Sequence, residues 1–361
     1  MNGAENSGYK TNPFDIEITR QTDPSVIAEF LTTCGASIIS GDCATWPNVI
    51  TGFQRGAART LDSIPAFPIP TAPRGITIVG GGKYLASVYV TVRVLRHVGC
   101  TLPIDVWHFD GENDACIEDA IREYDVTFHN ADQIQQPRPF RFLTGHWWQG
   151  WQLKSFALLH SRFESTLLLD ADNYPTRDPE YLFDWPEFLE HGAVIWPDQT
   201  NSPTIMTREV CRLFEIEPSS GPTAESGQLL VNRRLCWQQL VLAGYYNQAA
   251  DLAYRYIWGD KDTFPIAFHR TQTHFARMWP MCQIIPDCIL QYDFNGRVIF
   301  QHRCSDKFKL VDNVFHSTQQ RDARNRYNPS LVHEAFCFSV LDELRSIVTS
   351  MSSYTHRPVQ S

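Results

Sequence analysis

The sequence predicts an α/β protein with a mostly parallel sheet and helices on both faces. The first observation is that strand patterns alternate with helix patterns from residue 75 to residue 128, which is typical of parallel sheets. The second is a run of glycines, residues 80–82, directly after the first strand pattern. The third is an apolar strand that ends in two aspartates, Asp170 and Asp172. Because ligands of open α/β sheets bind beyond the carboxyl ends of the strands, we expect these features in one cleft.

The chain before residue 75 is expected to be accessory to this sheet. Its first dozen residues are polar, and residues 24–34 have the apolar spacing of a short amphipathic helix. Four prolines then interrupt regular structure between residues 65 and 73. We therefore assign residues 1–74 to an N-terminal accessory segment and a proline-rich linker.

The main domain is predicted to begin at residue 75. Its strand patterns cover residues 75–80, 104–108, 126–128, 193–196, 227–231 and 297–299, besides the strand that ends at Asp170. Its helix patterns cover residues 84–98, 114–124, 151–163 and 234–249. We divide this domain into residues 75–172, which carry the glycine run and the two aspartates, and residues 173–310, where the pattern is less regular and aromatic residues are frequent. The C-terminal extension, residues 311–361, carries an amphipathic helix pattern at residues 329–350.

Size and charge narrow the class of protein. A chain of 361 residues with 43% hydrophobic residues can bury a sizeable core. The net charge of −9 argues against a protein that coats nucleic acid or an anionic membrane. No stretch reaches the roughly 18 consecutive apolar residues of a membrane span, and the start of the chain lacks a secretory signal. These observations predict a soluble chain without nucleic-acid partners.

Asp170 and Asp172 are candidate ligands for a hard divalent cation, Mn²⁺ or Mg²⁺. Burying carboxylates without a partner costs several kcal/mol, so a positive group is expected beside them. A simple turn after the strand is the alternative, since Asp and Asn are common turn residues. His302 follows another strand pattern and could complete the metal site. A purely structural histidine is the alternative there.

The glycine run and Lys83 suggest phosphate binding, but two known patterns do not fit. A P-loop fails because Tyr84 follows Lys83, and the dinucleotide fingerprint fails because Leu85 stands where its last glycine belongs. Glycines still allow a ligand to approach the backbone, and Lys83 could neutralise a diphosphate. A solvated lysine in a turn is the alternative.

Two polar segments further along the chain suit the binding of sugar hydroxyls. Glu225 and Gln228 stand at the start of a strand pattern, and Asp260 and Asp262 lie among aromatic residues. Carboxylates and amides form hydrogen bonds with hydroxyl groups. Pyranose faces could stack on the neighbouring aromatic residues, Tyr254, Tyr256, Trp258 and Phe264. Each segment could instead be a turn with its charges in water.

Together, these segments resemble a known family. The sequences GGGKY, QLKSFALL, LLLDADN, ESGQ, GDKDTF and QH are similar, in the same order, to those of the fungal-type α-mannosyltransferases of the Golgi. Those enzymes have the GT-A fold and use nucleotide sugars, and the resemblance covers about residues 75–307. It implies a metal-dependent retaining glycosyltransferase that moves mannose from GDP-mannose onto an acceptor hydroxyl and forms an α-glycosidic bond.

The segments and the resemblance together imply roles for individual residues. The implied metal ligands for Mn²⁺ or Mg²⁺ are Asp170, Asp172 and His302. The implied contacts of the nucleotide-sugar donor are Gly81, Gly82, Lys83, Tyr84, Lys154, Asp170, Asp172, Gln228 and Asp260. Lys307 would steady the leaving phosphate, and Glu225 and Asp262 would hold the donor sugar or steady an oxocarbenium-like centre.

Alternatives stay open at this stage. The same chemistry could use a UDP-sugar and a small-molecule acceptor in place of a glycan, and a metal-dependent phosphohydrolase could use the same aspartates. The tryptophan-rich residues 146–151 could line an acceptor site or pack a loop onto the core. Because the chain starts with a polar segment, the cytoplasm is the expected compartment, or the Golgi lumen if a membrane anchor has been lost.

Overall fold

A computed structural model of the chain describes residues 24–33, 45–134, 140–143, 150–198, 207–219, 221–304, 307–310 and 327–355. The helices are α1 (Pro24–Thr33), α2 (Trp46–Asp62), α3 (Leu85–His97), α4 (Ala115–Ile121), α5 (Leu153–His160), α6 (Pro186–His191), α7 (Arg208–Phe214), α8 (Trp237–Gln248), α9 (Ala250–Ala253), α10 (Thr263–Arg270) and α11 (Glu334–Thr355). The strands are β1 (Ala72–Val79), β2 (Ile104–His108), β3 (Val126–Asn130), β4 (Phe163–Asp170), β5 (Asn173–Pro175), β6 (Ala193–Pro197), β7 (Ala224–Asn232), β8 (Ala276–Arg277), β9 (Gln283–Ile285), β10 (Cys288–Tyr292) and β11 (Val298–His302).

The main sheet has seven strands in the order β3-β2-β1-β4-β7-β6-β8. The four strands from β3 to β4 are parallel to one another, β7 is antiparallel to both β4 and β6, and β8 is parallel to β6. Residues 75–78 of β1 and 165–169 of β4 are all buried because helices cover both faces of the sheet. The predicted α/β class with a mostly parallel sheet is confirmed.

The register of the sheet brings distant segments to one edge. Val79 pairs with Asp170, so the glycine loop and the aspartates leave the sheet at the same level. Leu169 pairs with Gln228 in the antiparallel strand β7. The first residues of β7, which include Glu225, therefore extend past the carboxyl end of β4.

A second sheet completes this edge. It has four antiparallel strands in the order β5-β11-β10-β9. Strand β5 begins directly after Asp172, and its first residue, Asn173, pairs with His302 at the end of β11. The pairing of β5 with β11 therefore places His302 beside the aspartates of the main sheet.

Two large apolar clusters lie one on each face of the main sheet, and a smaller third cluster contains Trp107 of β2 and Phe156 of α5. One contains Leu168 together with buried residues of α1, α2, α7, α8 and α10. The other contains Leu167 and Leu169 together with buried residues of α3, α4, the second sheet and α11. The three leucines divide between the clusters because successive side chains of a strand point to opposite faces.

Three elements differ from the sequence-based expectation. Pro73 lies inside β1 and not in a linker, which is tolerated because it stands near the start of the strand. Helix α2 had not been predicted, although Val49, Phe53 and Ala57 are buried with helical spacing. Helix α5 ends at His160 and not at residue 163, because Phe163 begins β4 and pairs with Ala72.

The proposed domain boundaries stay a prediction. Helices α1 and α2 share a buried cluster with α8, and the α11 residues Val340, Leu341 and Leu344 belong to the other cluster. In the part of the chain that the structure describes, no helix is both long enough and apolar enough to span a bilayer.

Candidate functional site

The centre of the candidate site is the short turn between β4 and β5. It carries Asp170 and Asp172, and Asp172 is only 2% exposed. Two hydrogen bonds to backbone carbonyls hold the turn. Thr91 donates its hydroxyl to the Ala171 carbonyl at 2.6 Å, and Arg303 donates its N–H to the Asp172 carbonyl at 3.0 Å. The two carboxylates are thus fixed by the backbone around them.

Asp170, Asp172 and His302 form a group that could hold a metal ion. One ligand atom from each lies within 4.8 Å of the other two. The Nε2 atom of His302 is 3.5 Å from Oδ1 of Asp172 and 3.8 Å from Oδ2 of Asp170. Two carboxylates and one imidazole suit Mn²⁺ or Mg²⁺. The residues present fit the predicted metal.

Two lysines flank the aspartates: Lys154, which is buried, and Lys307, whose side chain is 19% exposed. The Nζ atom of Lys154 lies 2.9 Å from Oδ1 of Asp170 and 3.5 Å from Oδ2 of Asp260. Lys307 donates to Oδ2 of Asp172. Burial alone would lower the pKa of each lysine, but Asp170 and Asp172 beside them raise it above its usual value. Both lysines therefore carry a positive charge at neutral pH.

His302 lies between the aspartates and Glu225. Its Nδ1 atom is 3.3 Å from Oε1 of Glu225, although the direction of this contact misses hydrogen-bond geometry. Burial opposes protonation, yet Glu225 and Asp172 raise the pKa of His302 well above its usual value. Burial would raise the pKa of Glu225, but His302 and Lys154 lower it to about 2. A carboxylate behind a metal-ligating histidine orients the ring and raises its basicity.

Gly227 is the residue that allows His302 to approach β7. A Cβ atom at this position would lie 2.6 Å from Nδ1 of His302 and 2.8 Å from Oε2 of Glu225. Contacts this short do not occur for real side chains, so any larger residue would displace one of these groups. The glycine of the ESGQ segment is therefore a packing requirement of the site.

Gln228 and Asn173 support Glu225 from inside the protein. The Oε1 and Oε2 atoms of Glu225 accept bonds from the Gly227 N–H at 2.7 Å and from Nε2 of Gln228 at 2.8 Å. Asn173 donates to Oε1 of Gln228 at 2.6 Å and to the Gly227 carbonyl at 2.7 Å. Gln228 and Asn173 are completely buried. Their contacts are with Glu225 and the backbone of β7.

Asp260 and Asp262 reach the site from the turn before α10. Asp260 accepts the hydroxyl of Ser226 at 2.8 Å, and the same hydroxyl lies 2.9 Å from Nζ of Lys154. Asp262 is fully buried, and its Oδ1 atom accepts the N–H of Ala224 at 3.1 Å. Its Oδ2 atom has no hydrogen-bond partner among the described residues. Burial raises the pKa of Asp262 to about 6.

The glycine loop lies next to the aspartate turn. A Cβ atom on Gly80 would be 2.6 Å from Cβ of Ala171, and one on Gly81 would be 2.7 Å from Cβ of His108. Gly82 has a φ of +53° and donates its N–H to the Glu112 carbonyl. The close packing of the loop accounts for Gly80 and Gly81, and the positive φ accounts for Gly82.

Tyr84 connects this loop to the aspartates. The Nζ atoms of Lys83 and Lys307 lie 5.2 Å and 5.5 Å from the centre of its ring. Burial and the positive charge of Lys307 lower the pKa of Lys83. Burial raises the pKa of Tyr84, so its hydroxyl stays protonated at neutral pH.

The structure thus brings most of the predicted site residues to one edge of the sheet. One connected set of contacts includes Lys154, Asp170, Asp172, Glu225, Gln228, Asp260, His302 and Lys307. Asp262 joins through the start of β7, and Gly81, Gly82, Lys83 and Tyr84 join through the glycine loop. Sequence reasoning gave no role to Ser226 or Asn173, although both lie inside the quoted segments ESGQ and LLLDADN.

The proposed stacking residues and the tryptophan-rich segment have different outcomes. Tyr254 and Phe264 belong to the buried core, and Tyr254 bonds Oδ1 of Asn247, so neither presents a face to a sugar. Trp258 is 43% exposed. Residues 146–149 lie outside the described part of the chain, so their role stays a prediction.

Comparisons with known proteins identify the family of the chain. A family model described as "Mannosyltransferase putative" matches residues 73–221 and 214–278. Alpha-1,2-mannosyltransferase MNN24 of Candida albicans is 33% identical over 234 residues, 54% of this chain and 33% of the relative. Alpha-1,2-mannosyltransferase MNN2 of Saccharomyces cerevisiae is 26% identical over 303 residues, 69% of this chain and 50% of the relative. The chain therefore spans about a third to a half of the length of these relatives.

Two of the solved structures that are similar to this chain are glycosyltransferases. The galactosyltransferase LgtC in complex with donor and acceptor sugar analogs has a TM-score of 0.40 and 12% identity, over 54% of this chain and 70% of that chain. The glycosyltransferase GlyE of Streptococcus pneumoniae has a TM-score of 0.43 and 13% identity, over 81% of this chain and 66% of that chain. These likenesses are distant. The family model, in contrast, matches more than half of the residues, and this chain belongs to that mannosyltransferase family.

Proposed function

We propose that this chain is a metal-dependent retaining mannosyltransferase that moves mannose from GDP-mannose to an acceptor hydroxyl and forms an α-glycosidic bond. The observation that carries the proposal is the cluster of Asp170, Asp172 and His302 at the carboxyl edge of the sheet, between Lys154 and Lys307. The relatives MNN24 and MNN2 are named alpha-1,2-mannosyltransferases. Their names support mannose as the sugar and an α-1,2 linkage in the product.

The charges of the cluster support a cation. Asp170, Asp172, Glu225 and Asp260 lie within the same set of contacts as Lys154, Lys307 and His302. The group therefore contains four carboxylates against two lysines, and it keeps an excess of negative charge even while His302 is protonated. When bound by Asp170, Asp172 and His302, Mn²⁺ or Mg²⁺ would offset the negative charge that develops on the departing diphosphate.

The lysines and the glycine loop fit the binding of a nucleoside diphosphate. Lys307 contacts both Asp172 and the ring of Tyr84, so it lies between the aspartates and the glycine loop. In our proposal Lys307 steadies the leaving phosphate, and Lys154 holds Asp170 in place. Lys83, Tyr84 and the backbone of residues 81 and 82 then lie along the path of the nucleotide.

The residues of β7 and the turn before α10 fit the binding of the donor sugar. Asp260, beside Lys154, is our candidate acceptor for a sugar hydroxyl, and Asp262, which is completely buried, holds the start of β7 next to it. Both oxygens of Glu225 already accept hydrogen bonds, which suits an orienting role behind His302 better than a role as covalent nucleophile. We therefore propose that the acceptor hydroxyl attacks from the face that the diphosphate leaves, with a diphosphate oxygen as base.

The test of the donor is a panel of thermal shifts with GDP, UDP, GDP-mannose and a UDP-sugar, each with and without Mn²⁺. A ligand at 100 times its Kd adds about 2.7 kcal/mol to the free energy of unfolding. We expect GDP and GDP-mannose to raise the melting temperature, and Mn²⁺ to enlarge the rise. A larger rise with UDP would assign a UDP-sugar, and no metal-dependent rise with any nucleotide would overturn the proposal.

The test of the reaction is the conversion of GDP-mannose in the presence of an α-mannoside acceptor. Nuclear magnetic resonance of the product gives both the linkage and the anomeric configuration. An α-1,2 product confirms retention, and a β product contradicts it. Release of free mannose or of phosphate without a disaccharide would favour a hydrolase.

A further inference from the structure

A buried ion pair joins the C-terminal helix α11 to the strand that carries His302. Arg303 follows His302, and its Nη1 atom lies 2.6 Å from Oε1 of Glu334, the first residue of α11. The side chains of Arg303 and Glu334 are only 3% and 1% exposed. Desolvation offsets most of the attraction in a pair buried this deeply, so stability alone is a weak account of it.

The Glu334 carboxylate bridges the two strands that bring the metal ligands together. While its Oε1 atom contacts Arg303 in the turn after β11, its Oε2 atom accepts the hydroxyl of Tyr174 in β5 at 3.2 Å. Tyr174 is two residues after Asp172, and Arg303 is one residue after His302. One carboxylate therefore contacts the residues that follow both ligands.

The segment before α11 also holds the other neighbour of His302. Successive side chains of a strand alternate between faces, so Gln301 and Arg303 point away from the face that carries His302. The side chain of Gln301 donates to the Val332 carbonyl at 2.9 Å and accepts the Val332 N–H at 2.7 Å. The backbone of Val332 and the side chain of Glu334 thus hold the two residues on either side of His302.

We propose that Glu334 is a positioning residue of the metal site, which acts through Arg303 and Tyr174 to fix the distance between His302 and Asp172. The inference rests on the proposed function and extends it to a helix outside the residues matched by the family model, 73–278. The Arg303 N–H donates to the Asp172 carbonyl, so a shift of Arg303 is transmitted to both ligands. Loss of a group that orients metal ligands typically weakens metal binding about 10- to 100-fold.

The test compares Glu334→Gln with Glu343→Gln, a matched change on the same helix. Glu343 pairs with Arg93 at the surface, and its side chain is 47% exposed. Its contacts are with Arg93 and Tyr89 and not with the residues around His302. The readout is the Mn²⁺ dissociation constant, measured from the signal of free Mn²⁺ in electron paramagnetic resonance. We expect Glu334→Gln to raise it about tenfold or more and Glu343→Gln to leave it unchanged. An unchanged constant in folded Glu334→Gln would overturn the positioning role.

A second variant guards against a loss of folding. Because removing both charges of a buried pair is tolerated better than removing one, Arg303→Met combined with Glu334→Met should stay folded and still bind Mn²⁺ more weakly. In the absence of metal, hydrogen exchange at the backbone amide of residue 303 should be faster in this variant than in the wild-type protein. A lower melting temperature with wild-type Mn²⁺ affinity and unchanged exchange would show a purely structural role.

The same titration separates this inference from the proposed function. If the wild-type protein does not bind Mn²⁺, the metal site itself is wrong and the role of Glu334 is wrong with it. If the wild-type protein binds Mn²⁺ and Glu334→Gln binds it equally well, only the role of Glu334 is wrong.

Discussion

Asp172 shows how a single residue depends on segments far apart in the sequence. Its carboxylate contacts Lys307 and lies 3.5 Å from His302, and its carbonyl accepts the N–H of Arg303. Burial would raise the pKa of Asp172, but Lys307 and His302 hold it well below its usual value. The group is therefore ionised at neutral pH.

Replacing Asp172 by Asn removes this charge at nearly constant size. We expect the Mn²⁺-dependent part of the thermal shift to disappear, because a ligand is lost and Lys307 loses its ionic partner. The loss of Mn²⁺ affinity should exceed the about 10- to 100-fold effect of outer partners. The control is Asp184→Asn, which changes a surface pair with Arg74 and should leave the metal response intact. Retained Mn²⁺ affinity in Asp172→Asn would show that it is not a ligand.

Gly227→Ala tests the close approach of β7 to His302. The new methyl group would collide with the imidazole or with Glu225, so we expect about 1–3 kcal/mol of destabilisation and weaker Mn²⁺ binding. Gly99→Ala is the comparison, because its φ is +95° but its Cβ would meet nothing within 4 Å. It should lower stability by about 1 kcal/mol through backbone strain and leave Mn²⁺ binding unchanged. Equal Mn²⁺ affinity in both variants would contradict the packing role of Gly227.

The candidate metal ligands could be predicted from the sequence, whereas the residues that hold them in position could not. Asp170, Asp172 and His302 could be predicted because each follows an apolar strand and carries a side chain typical of metal sites. The role of Glu334 could not be predicted, because a glutamate near the start of an amphipathic helix pattern is usually exposed. The role of its partner Arg303 becomes visible only when β5 and β11 are paired, because that pairing places Arg303 beside Asp172.

At the scale of elements, α2 is the clearest case of a helix that sequence reasoning missed. Gly52 and Gly56 weaken the helical pattern, and the prolines that follow favour a linker interpretation. In the structure Gly56 allows contact with Tyr245, whose hydroxyl donates to the Phe53 carbonyl at 2.9 Å. A Cβ atom on Gly56 would collide with that hydroxyl. The helix is fixed by its packing against α8 more than by its own propensity.

Phe53→Ala tests whether α2 is an integral part of the fold. Phe53 is completely buried and stacks near Phe214, Tyr245 and Tyr246. We expect a loss of about 3–5 kcal/mol in the free energy of unfolding in urea. Ile69→Ala, at a side chain that is 92% exposed, should change it by less than about 0.5 kcal/mol. A small effect at Phe53 would mean that residues before 75 are only accessory, as first expected.

The strands of the parallel half could be predicted with near-correct bounds, whereas the second sheet could not. Strands β1, β2 and β4 each carry three or more apolar residues close together, and most of these side chains are buried. Such a concentration of apolar residues is visible in the sequence. Strands β5 and β9 have three residues each, too few for a period to be recognised. Their place depends on pairing with distant strands, which no local pattern encodes.

At the scale of the whole molecule, the buried carboxyl group of Asp262 couples stability to pH. Its pKa rises from 3.8 to about 6 because burial disfavours the charge. The folded protein therefore binds more protons than the unfolded chain between these values, and this group adds stability as pH falls through 6. Glu225 acts oppositely, since its pKa is lowered to about 2 and its contribution is lost only as pH falls below about 4.

Asp262→Asn removes the first of these effects. Between pH 7.5 and pH 5 the wild-type group should add about 1 kcal/mol to the free energy of unfolding. We expect the variant to lose this gain while other titrating groups keep theirs, so the stability of the wild-type protein relative to the variant should fall by about 1 kcal/mol from pH 5 to pH 7.5. Urea unfolding at the two pH values measures it. Identical pH dependence in both proteins would contradict a raised pKa at Asp262.

The pairing of Asn173 with His302 has a consequence for the order of folding. The group of Asp170, Asp172 and His302 is complete only when β11 has paired with β5. Because β11 is synthesised long after β4, this pairing closes a large loop of the chain. A nascent chain that ends before residue 298 can form the parallel sheet but lacks the histidine of the cluster. Metal affinity should therefore emerge as one of the last properties of the maturing enzyme, and Mn²⁺ binding can serve as a reporter of completed folding.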